Sequence, residues 1–375
     1  RYWTNEMQID GFRFDLATTL ARDENNNFDP HHPLLQRIVN EPDFAKSKMI
    51  VEPWDVGLGG WQTGGFPDRF SEWNDRYRDS MRRFWLTDIA NARNSGTHGN
   101  GIAELATRLS GSRDIVDGPS GTLGTVNFIT AHDGFTLHDL VSYNVKHNQQ
   151  NGESNRDGTN NNHSFNHGGE GEQVDAEILA QRRQAMRNLM ATMLFSAGIP
   201  MITAGDERAK TQLGNNNAYC QDTVLSWVNW QLGQHERDFE DTVAHLLQLR
   251  RENPVLRPKH FNNFEEATPD SDLARWYNLF GEILSESDWD SPENRSFAKL
   301  GQSVAEPGNP NQLLLVVHGT EDEIEFTLSS EIAADRFELL WDSAVENPNL
   351  LEKTTAKPGD VLTLPPMSIR LYRVL

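Results

Sequence analysis

Two hydrophobic patterns divide the chain. In its first part, short apolar runs recur, and each closes on polar or acidic residues. Ile9–Asp15 alternates apolar and charged positions, as a strand does when one face meets a core. Lys48–Glu52, Val126–Ala131 and Pro200–Gly205 are continuous apolar runs of the kind that buried parallel strands show. The four runs end on Asp15, Glu52, His132-Asp133 and Asp206-Glu207. Helical spacing predicts helices over Gly101–Leu109, Gln181–Phe195 and His235–Arg251, the last with Phe239, Val243, Leu246 and Leu247 on one face. Strands alternating with helices predict an α/β fold with a parallel sheet, and chemistry at strand carboxyl ends is what a (β/α) barrel displays. An open doubly wound sheet competes, but no Gly-rich phosphate loop follows any strand.

Beyond residue 262 the pattern becomes that of short strands separated by turns: Leu313–Val317, Ile324–Leu328, Phe337–Trp341, Val361–Leu364 and Met367–Val374. The expected organisation is an α/β part over 1–262 and an antiparallel all-β domain over 263–375, of sandwich type. Residues 188–205 carry no charge and approach the length of a membrane span. Ser196, Gly198 and Pro200 interrupt them, so a buried helix running into a buried strand is the expectation. Residues 146–175 are rich in Asn, Gly, Glu and His and read either as a flexible linker or as an active-site loop. No internal repeat is visible.

Charge narrows the class of partner. The 375 residues hold 55 acidic and 34 basic side chains, a formal net charge of −21. Such a surface repels nucleic acid and anionic membranes, so neither is an expected partner. A single cysteine, Cys220, forms no internal disulfide, which suits a reducing, cytoplasmic setting. The chain opens on Arg1-Tyr2-Trp3 with no signal-peptide pattern, which reads as an internal cut in a soluble protein.

Asp15, Glu52 and Asp133 each follow a strand. A retaining glycosidase needs a carboxylate nucleophile and a carboxylic acid about 5–5.5 Å apart, and a third carboxylate can hold the sugar hydroxyls. Arg13, two residues before Asp15, points to the same side of the strand and supplies a positive charge beside the nucleophile. Glu52 precedes Pro53-Trp54, an apolar setting that favours a protonated acid. Any one of these carboxylates alone would read as an ordinary solvated strand end; the constellation carries the inference. Trp54, Trp61, Phe66, Phe70 and Trp73 lack helical spacing and suit a loop offering flat faces to sugar rings, with a packed loop core as the alternative. Among the histidines, His132 adjoins Asp133 and is placed to bind a sugar hydroxyl. His163 and His167 stand four apart, but in a Gly/Asn-rich context that disfavours a helical metal site. No metal site and no cofactor are read from the sequence.

These residues carry a family resemblance. Asp10–Asp15, Val51–Asp55 and Phe128–Asp133 resemble three signature strands of the α-amylase superfamily, in its order. Ser71–Arg78, Ala204–Glu207 and Gly214–Asp222 resemble the bacterial glycogen debranching enzymes and isoamylases. The resemblance implies a (β/α)8 barrel with a C-terminal β domain and a retaining mechanism. By position it implies Asp15 as nucleophile, Glu52 as acid/base and Asp133 as transition-state stabiliser, with Arg13, His132, Trp54 and Asp55 as substrate contacts. The family's first signature strand is absent, so the expectation is the later five strands of a barrel, a fragment whose own activity is open. The expected activity is hydrolysis of α-1,6 branches in glycogen or limit dextrin. A non-catalytic glucan-binding fragment, or an α-1,4-acting or transglycosylating enzyme of the same superfamily, are the alternatives.

Overall fold

The computed structural model describes residues 1–97, 99–116, 123–261, 273–306 and 309–375. Five short strands form one parallel sheet: β1 (Gly11–Phe14), β2 (Lys48–Val51), β3 (Ser71–Trp73), β4 (Thr125–Phe128) and β5 (Ile199–Met201). They lie in the order β1-β2-β3-β4-β5, each beside its neighbour in sequence. A doubly wound sheet would reverse direction at a switch point; these five strands do not. Phe14 pairs with Val51, Val51 with Glu72, Trp73 with Val126 and Phe128 with Met201, so the carboxyl ends fall on one edge.

Helices connect and cover the strands. The main ones are α1 (Pro33–Val39), α2 (Asp75–Arg82), α3 (Asp88–Ser95), α4 (Ala103–Leu109), α5 (Ala176–Phe195) and α6 (Gln234–Glu252). A wide turn over Arg83–Thr87 joins α2 to α3 and buries Phe84, Trp85 and Leu86. Asn74 caps α2 by accepting the Tyr77 N–H at 2.8 Å, and Asp175 caps α5 by accepting the Ile178 N–H at 3.1 Å; such caps satisfy amides that no helix carbonyl reaches. The uncharged 188–205 stretch is the buried half of α5 running into β5; the helix is buried as expected, whereas the strand is not, with Ile199 exposed. Gly198 makes the corner at φ +117, where a Cβ would lie 2.7 Å from Thr125 Cγ2. Among the described residues, no helix is long and apolar enough to cross a membrane.

The rest of the chain is antiparallel. β6 (Leu273–Tyr277), β7 (Ser296–Glu306), β8 (Asn309–His318), β10 (Phe337–Asp342), β11 (Thr355–Ala356) and β13 (Ser368–Val374) form a sheet ordered β11-β10-β13-β8-β7-β6, while β9 (Ile324–Thr327) pairs with β12 (Val361–Leu364). The expected boundary at 262/263 lies outside the described residues. Alternation along β8 serves two cores. Leu313, Leu315 and Val317 join the large cluster of α2, α5 and α6, whereas Leu314 and Val316 pack with Phe326, Phe337 and Leu364. Period-two alternation is what lets one strand feed both faces. Polar ties cross the same seam: Arg295 Nη1 lies 2.9 Å from Asp88 Oδ2, and Asn188 Nδ2 donates to the Met367 carbonyl at 2.6 Å.

Candidate active site

Parallel pairing of β1 with β2 brings residues 15 and 52 side by side, although 36 positions separate Leu16 from Glu52 in sequence. Arg13 leaves β1 toward the carboxyl edge and joins the two acids: Nη1 lies 2.5 Å from Asp15 Oδ1 and Nη2 lies 2.9 Å from Glu52 Oε2. The second contact is an ion pair whose angle falls short of a hydrogen bond. Glu52 also accepts the Leu16 N–H at 2.8 Å, and its backbone bonds to Phe14 and Ala17 on the neighbouring strand end. Leu16 holds φ +43, a left-handed conformation that turns the chain immediately after Asp15. Non-glycine residues adopt it only where the surroundings enforce it. Asp15 is 69% exposed and Glu52 9%, so one acid faces open space and the other is sheltered.

Trp73, at the end of β3, is the buried centre of the arrangement. The Arg13 guanidinium lies 4.3 Å from its ring centroid. Trp54, Phe128 and His132 surround it at 6.4, 5.4 and 6.1 Å between centroids. His132 and Asp133 follow β4 and face outward, with His132 Nε2 3.5 Å from Asp133 Oδ2. Asp15, Glu52, Arg13, Trp54 and His132 are therefore brought together around one indole, with Asp133 beside His132.

Asp55 sits differently from its expected place at the substrate. Both of its oxygens are taken: Arg22 donates to them at 2.7 and 2.8 Å, Thr19 at 3.1 Å and the Gly57 N–H at 2.7 Å. The Arg22 hydrogen bond, aided by the Gly57 and Thr19 donors and opposed by desolvation, holds this carboxyl down at about 2. Asp55 thus ties the loop after Trp54 to the segment after β1.

The aromatic loop also departs from expectation. Phe66 and Phe70 lie in a core cluster with Phe14 and Phe28, and Trp73 is a strand residue rather than a loop one. Trp61 is exposed, its Nε1 donating to Asp75 Oδ2 at 2.9 Å; Trp54 is half-buried. Density of aromatic residues without periodicity did not distinguish core from surface.

The flexible-linker reading of 146–175 is overturned. Side-chain amides lock this loop to the segment after β5: Asn148 Nδ2 donates to Asn216 Oδ1 at 2.8 Å, Asn216 Nδ2 to Asn162 Oδ1 at 2.8 Å, and Asn151 Nδ2 to the Asn217 carbonyl at 2.9 Å. Lys146 Nζ donates to the carbonyls of Asp157 and Gly158 at 2.8 and 3.1 Å. Asn and Gly order a loop when their amides find one another, a property that composition does not reveal. His163 and His167 both have positive φ, so no helix presents them together; His167 is buried against Phe165.

Glu72 is a buried carboxyl that sequence reasoning missed. It accepts the Gly64 and Phe66 N–H groups at 2.5 and 3.1 Å, and burial pushes it up to about 7 despite those donors. Asp206 was seen only as a strand end. It is fully buried, and desolvation raises it to about 6 against the Leu137 and Thr130 donors. Inside Ser71–Asn74 a Glu looks like any polar helix-start residue, so no local signal marked the first.

No protein-family model matches the chain. The glycogen operon protein GlgX homolog of Mycobacterium tuberculosis is 38% identical over 389 residues, covering 100% of this chain and 52% of that protein. A glycogen debranching enzyme of Enterobacter sp. is 41% identical over 329 residues, covering 88% of this chain and 46% of the relative. The chain thus spans about half the length of the curated relatives it matches. Among solved structures, a pullulanase from Bacillus acidopullulyticus aligns at TM-score 0.66 and 18% identity, over 99% of this chain and 38% of that one. A Bacillus subtilis type I pullulanase complexed with maltose aligns at 0.63 and 19%, over 100% and 45%. Over the part of their length that it spans, the chain is homologous to the bacterial glycogen debranching enzymes, and its fold is that of the portion of the pullulanases with which it aligns.

Proposed function

We propose that this chain carries the catalytic residues of a glycoside hydrolase that cleaves α-1,6 branch linkages of glycogen or limit dextrin with retention of configuration. The observation that carries the reading is the single guanidinium of Arg13 held between Asp15 and Glu52 at 2.5 and 2.9 Å. Two carboxylates bridged in this way suit the separation of about 5–5.5 Å that double displacement needs. The sequential parallel order supports five successive strands of a (β/α)8 barrel, with residues 1–262 as its part in this chain and 263–375 as an all-β sandwich domain.

In this reading the exposed Asp15 attacks the anomeric carbon while sheltered Glu52 protonates the departing oxygen. Once Asp15 is esterified its negative charge is gone, and Arg13 is left facing Glu52. The guanidinium then stabilises the carboxylate that Glu52 becomes, and Glu52 takes the proton of the water that releases the sugar. Asp133 and His132 meet the hydroxyls of the distorted ring, and Trp54 offers a face to it. Asp55 holds the loop that carries Trp54. Incubating the full-length protein with limit dextrin should liberate new reducing ends, and Asp15→Asn should abolish their release while substrate binding persists. Turnover by Asp15→Asn at the wild-type rate would contradict the nucleophile assignment.

A further inference from the structure

His132 and Asp133 are 60% and 75% exposed, and their side chains contact each other at 3.5 Å. Beyond the contact of the His132 ring with Trp73, their placement falls to the backbone on either side, which is pinned at three points. Thr130, before them, donates its hydroxyl to Asp206 Oδ2 and lies 3.0 Å from the Thr203 hydroxyl. Gly134, after them, donates its N–H to the Asn216 carbonyl at 2.9 Å. Leu137 donates its N–H to Asp206 Oδ1 at 3.0 Å. All three anchors lie in the segment after β5.

The exchange is reciprocal. Asp139, in the segment after β4, is fully buried and accepts from the segment after β5: the Thr211 hydroxyl at 2.6 Å and the Gln212 and Gly214 N–H groups at 2.9 and 3.3 Å. Each segment thus contributes one buried aspartate whose acceptors are filled by the other. Asn216 is itself gripped, its N–H donating to Asn148 Oδ1 at 3.0 Å. A buried carboxylate that loses its donors pays the full desolvation cost, so neither segment moves without breaking the partner's contacts.

We infer that Asp206 and Asp139 form a cross-brace that makes the segments after β4 and β5 one rigid unit, and that they are positioning residues for Asp133. Neither carboxylate meets the reacting sugar. The catalytic side of the inference rests on the proposed function; the mechanical side does not. A displacement of about 1 Å at a reacting group costs on the order of 100-fold in rate, so loosening the brace reads out in turnover.

The test uses the full-length protein with Asp206→Asn, Asp139→Asn and the milder Thr211→Val. An asparagine presents an N–H₂ where the aspartate accepted a donor, breaking one arm of the brace with little change in shape. Amide hydrogen exchange over 130–138 should quicken by about 10-fold or more in Asp139→Asn, whose broken hydrogen bonds run to 211–214, with a further ion contact to His138 Nδ1 at 3.6 Å. On a branched α-glucan, kcat should fall about 10- to 100-fold in both aspartate variants, with KM within about 3-fold of wild type. Wild-type protection over 130–138 in Asp139→Asn would overturn the brace, and so would a folded Asp206→Asn protein with wild-type kcat. Should both aspartate variants fail to fold, Thr211→Val decides: faster exchange over 130–138 supports the coupling, and unchanged exchange overturns it. An inactive wild-type protein would refute the proposed function, while hydrogen exchange still decides the brace.

Discussion

The guanidinium of Arg13 on β1 stacks on the indole of Trp73 on β3, 4.3 Å from the ring centroid, with β2 between the two strands. The indole fixes the plane of the guanidinium, and that plane fixes how its two terminal nitrogens meet Asp15 and Glu52. Arginine alone among side chains combines a flat, permanently charged fork with stacking. The arrangement explains why Arg13, rather than a lysine, occupies the position between two acids.

Arg13→Lys keeps the charge and loses the fork. One charged hydrogen bond contributes about 1.5–3 kcal/mol, so kcat/KM on a branched α-glucan should fall by about 10- to 100-fold. Steady-state kinetics on the folded variant measure this. An unchanged kcat/KM would show that the bridge is not needed.

Glu72 predicts a specific pH dependence of stability. Its folded-state value of about 7 lies above the ordinary 4.5, so between these values the unfolded chain releases a proton that the folded one keeps. Stability contributed by this group is full below about 4.5 and is lost as pH rises through about 7. The loss is about 3 kcal/mol, from the size of the shift. Glu72→Gln should flatten this limb, while giving up one of the hydrogen bonds to Gly64 or Phe66. Denaturant midpoints from pH 4 to pH 8 would reveal it; an equally steep limb in the variant would assign the dependence to another group.

Hydrophobic runs closing on acidic residues were legible because a parallel strand buried on both faces must be apolar and must stop where solvent begins. β4, buried throughout, fits that description; β1 was legible from its alternation instead, and β2 and β5 from apolar runs that the fold buries only in part, each within a few residues. The expected Pro200–Gly205 strand ends already at Met201, and the chain turns at Gly205 (φ +99) before Asp206. β3 was missed as a strand, since three residues carry no readable period and two of them are Glu72 and Trp73. β7 was missed because it places buried Gln302 and part-buried Lys299 among its apolar residues. The strand-end acids of the candidate site were visible, whereas its scaffold was not. Trp73 at the centre, the Arg22–Asp55 pair and the Asn148–Asn216 lock depend on contacts between distant segments, which single-residue patterns do not encode.

Gly198 is a position where a methyl group is not tolerated. At φ +117 an added Cβ would meet Thr125 Cγ2 at 2.7 Å and Asn127 Nδ2 at 2.8 Å. Left-handed strain and overpacking each cost about 1–3 kcal/mol. Gly198→Ala should therefore lower the unfolding midpoint markedly, and a thermal melt within 1–2 °C of wild type (roughly the shift of a fraction of a kcal/mol) would contradict the geometry.

Asp55→Asn should destabilise the protein at neutral pH by breaking its pair with Arg22. The carboxyl is held at about 2 against an ordinary 3.8, so its contribution is present above 3.8 and is lost as pH falls through about 2. The gap between variant and wild-type melting temperatures should therefore narrow on acidification. A gap independent of pH would mean that packing, not the charge pair, holds the loop.

Branch cleavage with retention is tested most directly by time-resolved proton NMR of limit dextrin mixed with the full-length protein. Short linear maltooligosaccharides should be released, their new reducing ends appearing first as the α-anomer, before mutarotation supplies the β-anomer. Release of the β-anomer first, or no loss of α-1,6 signal, would contradict it.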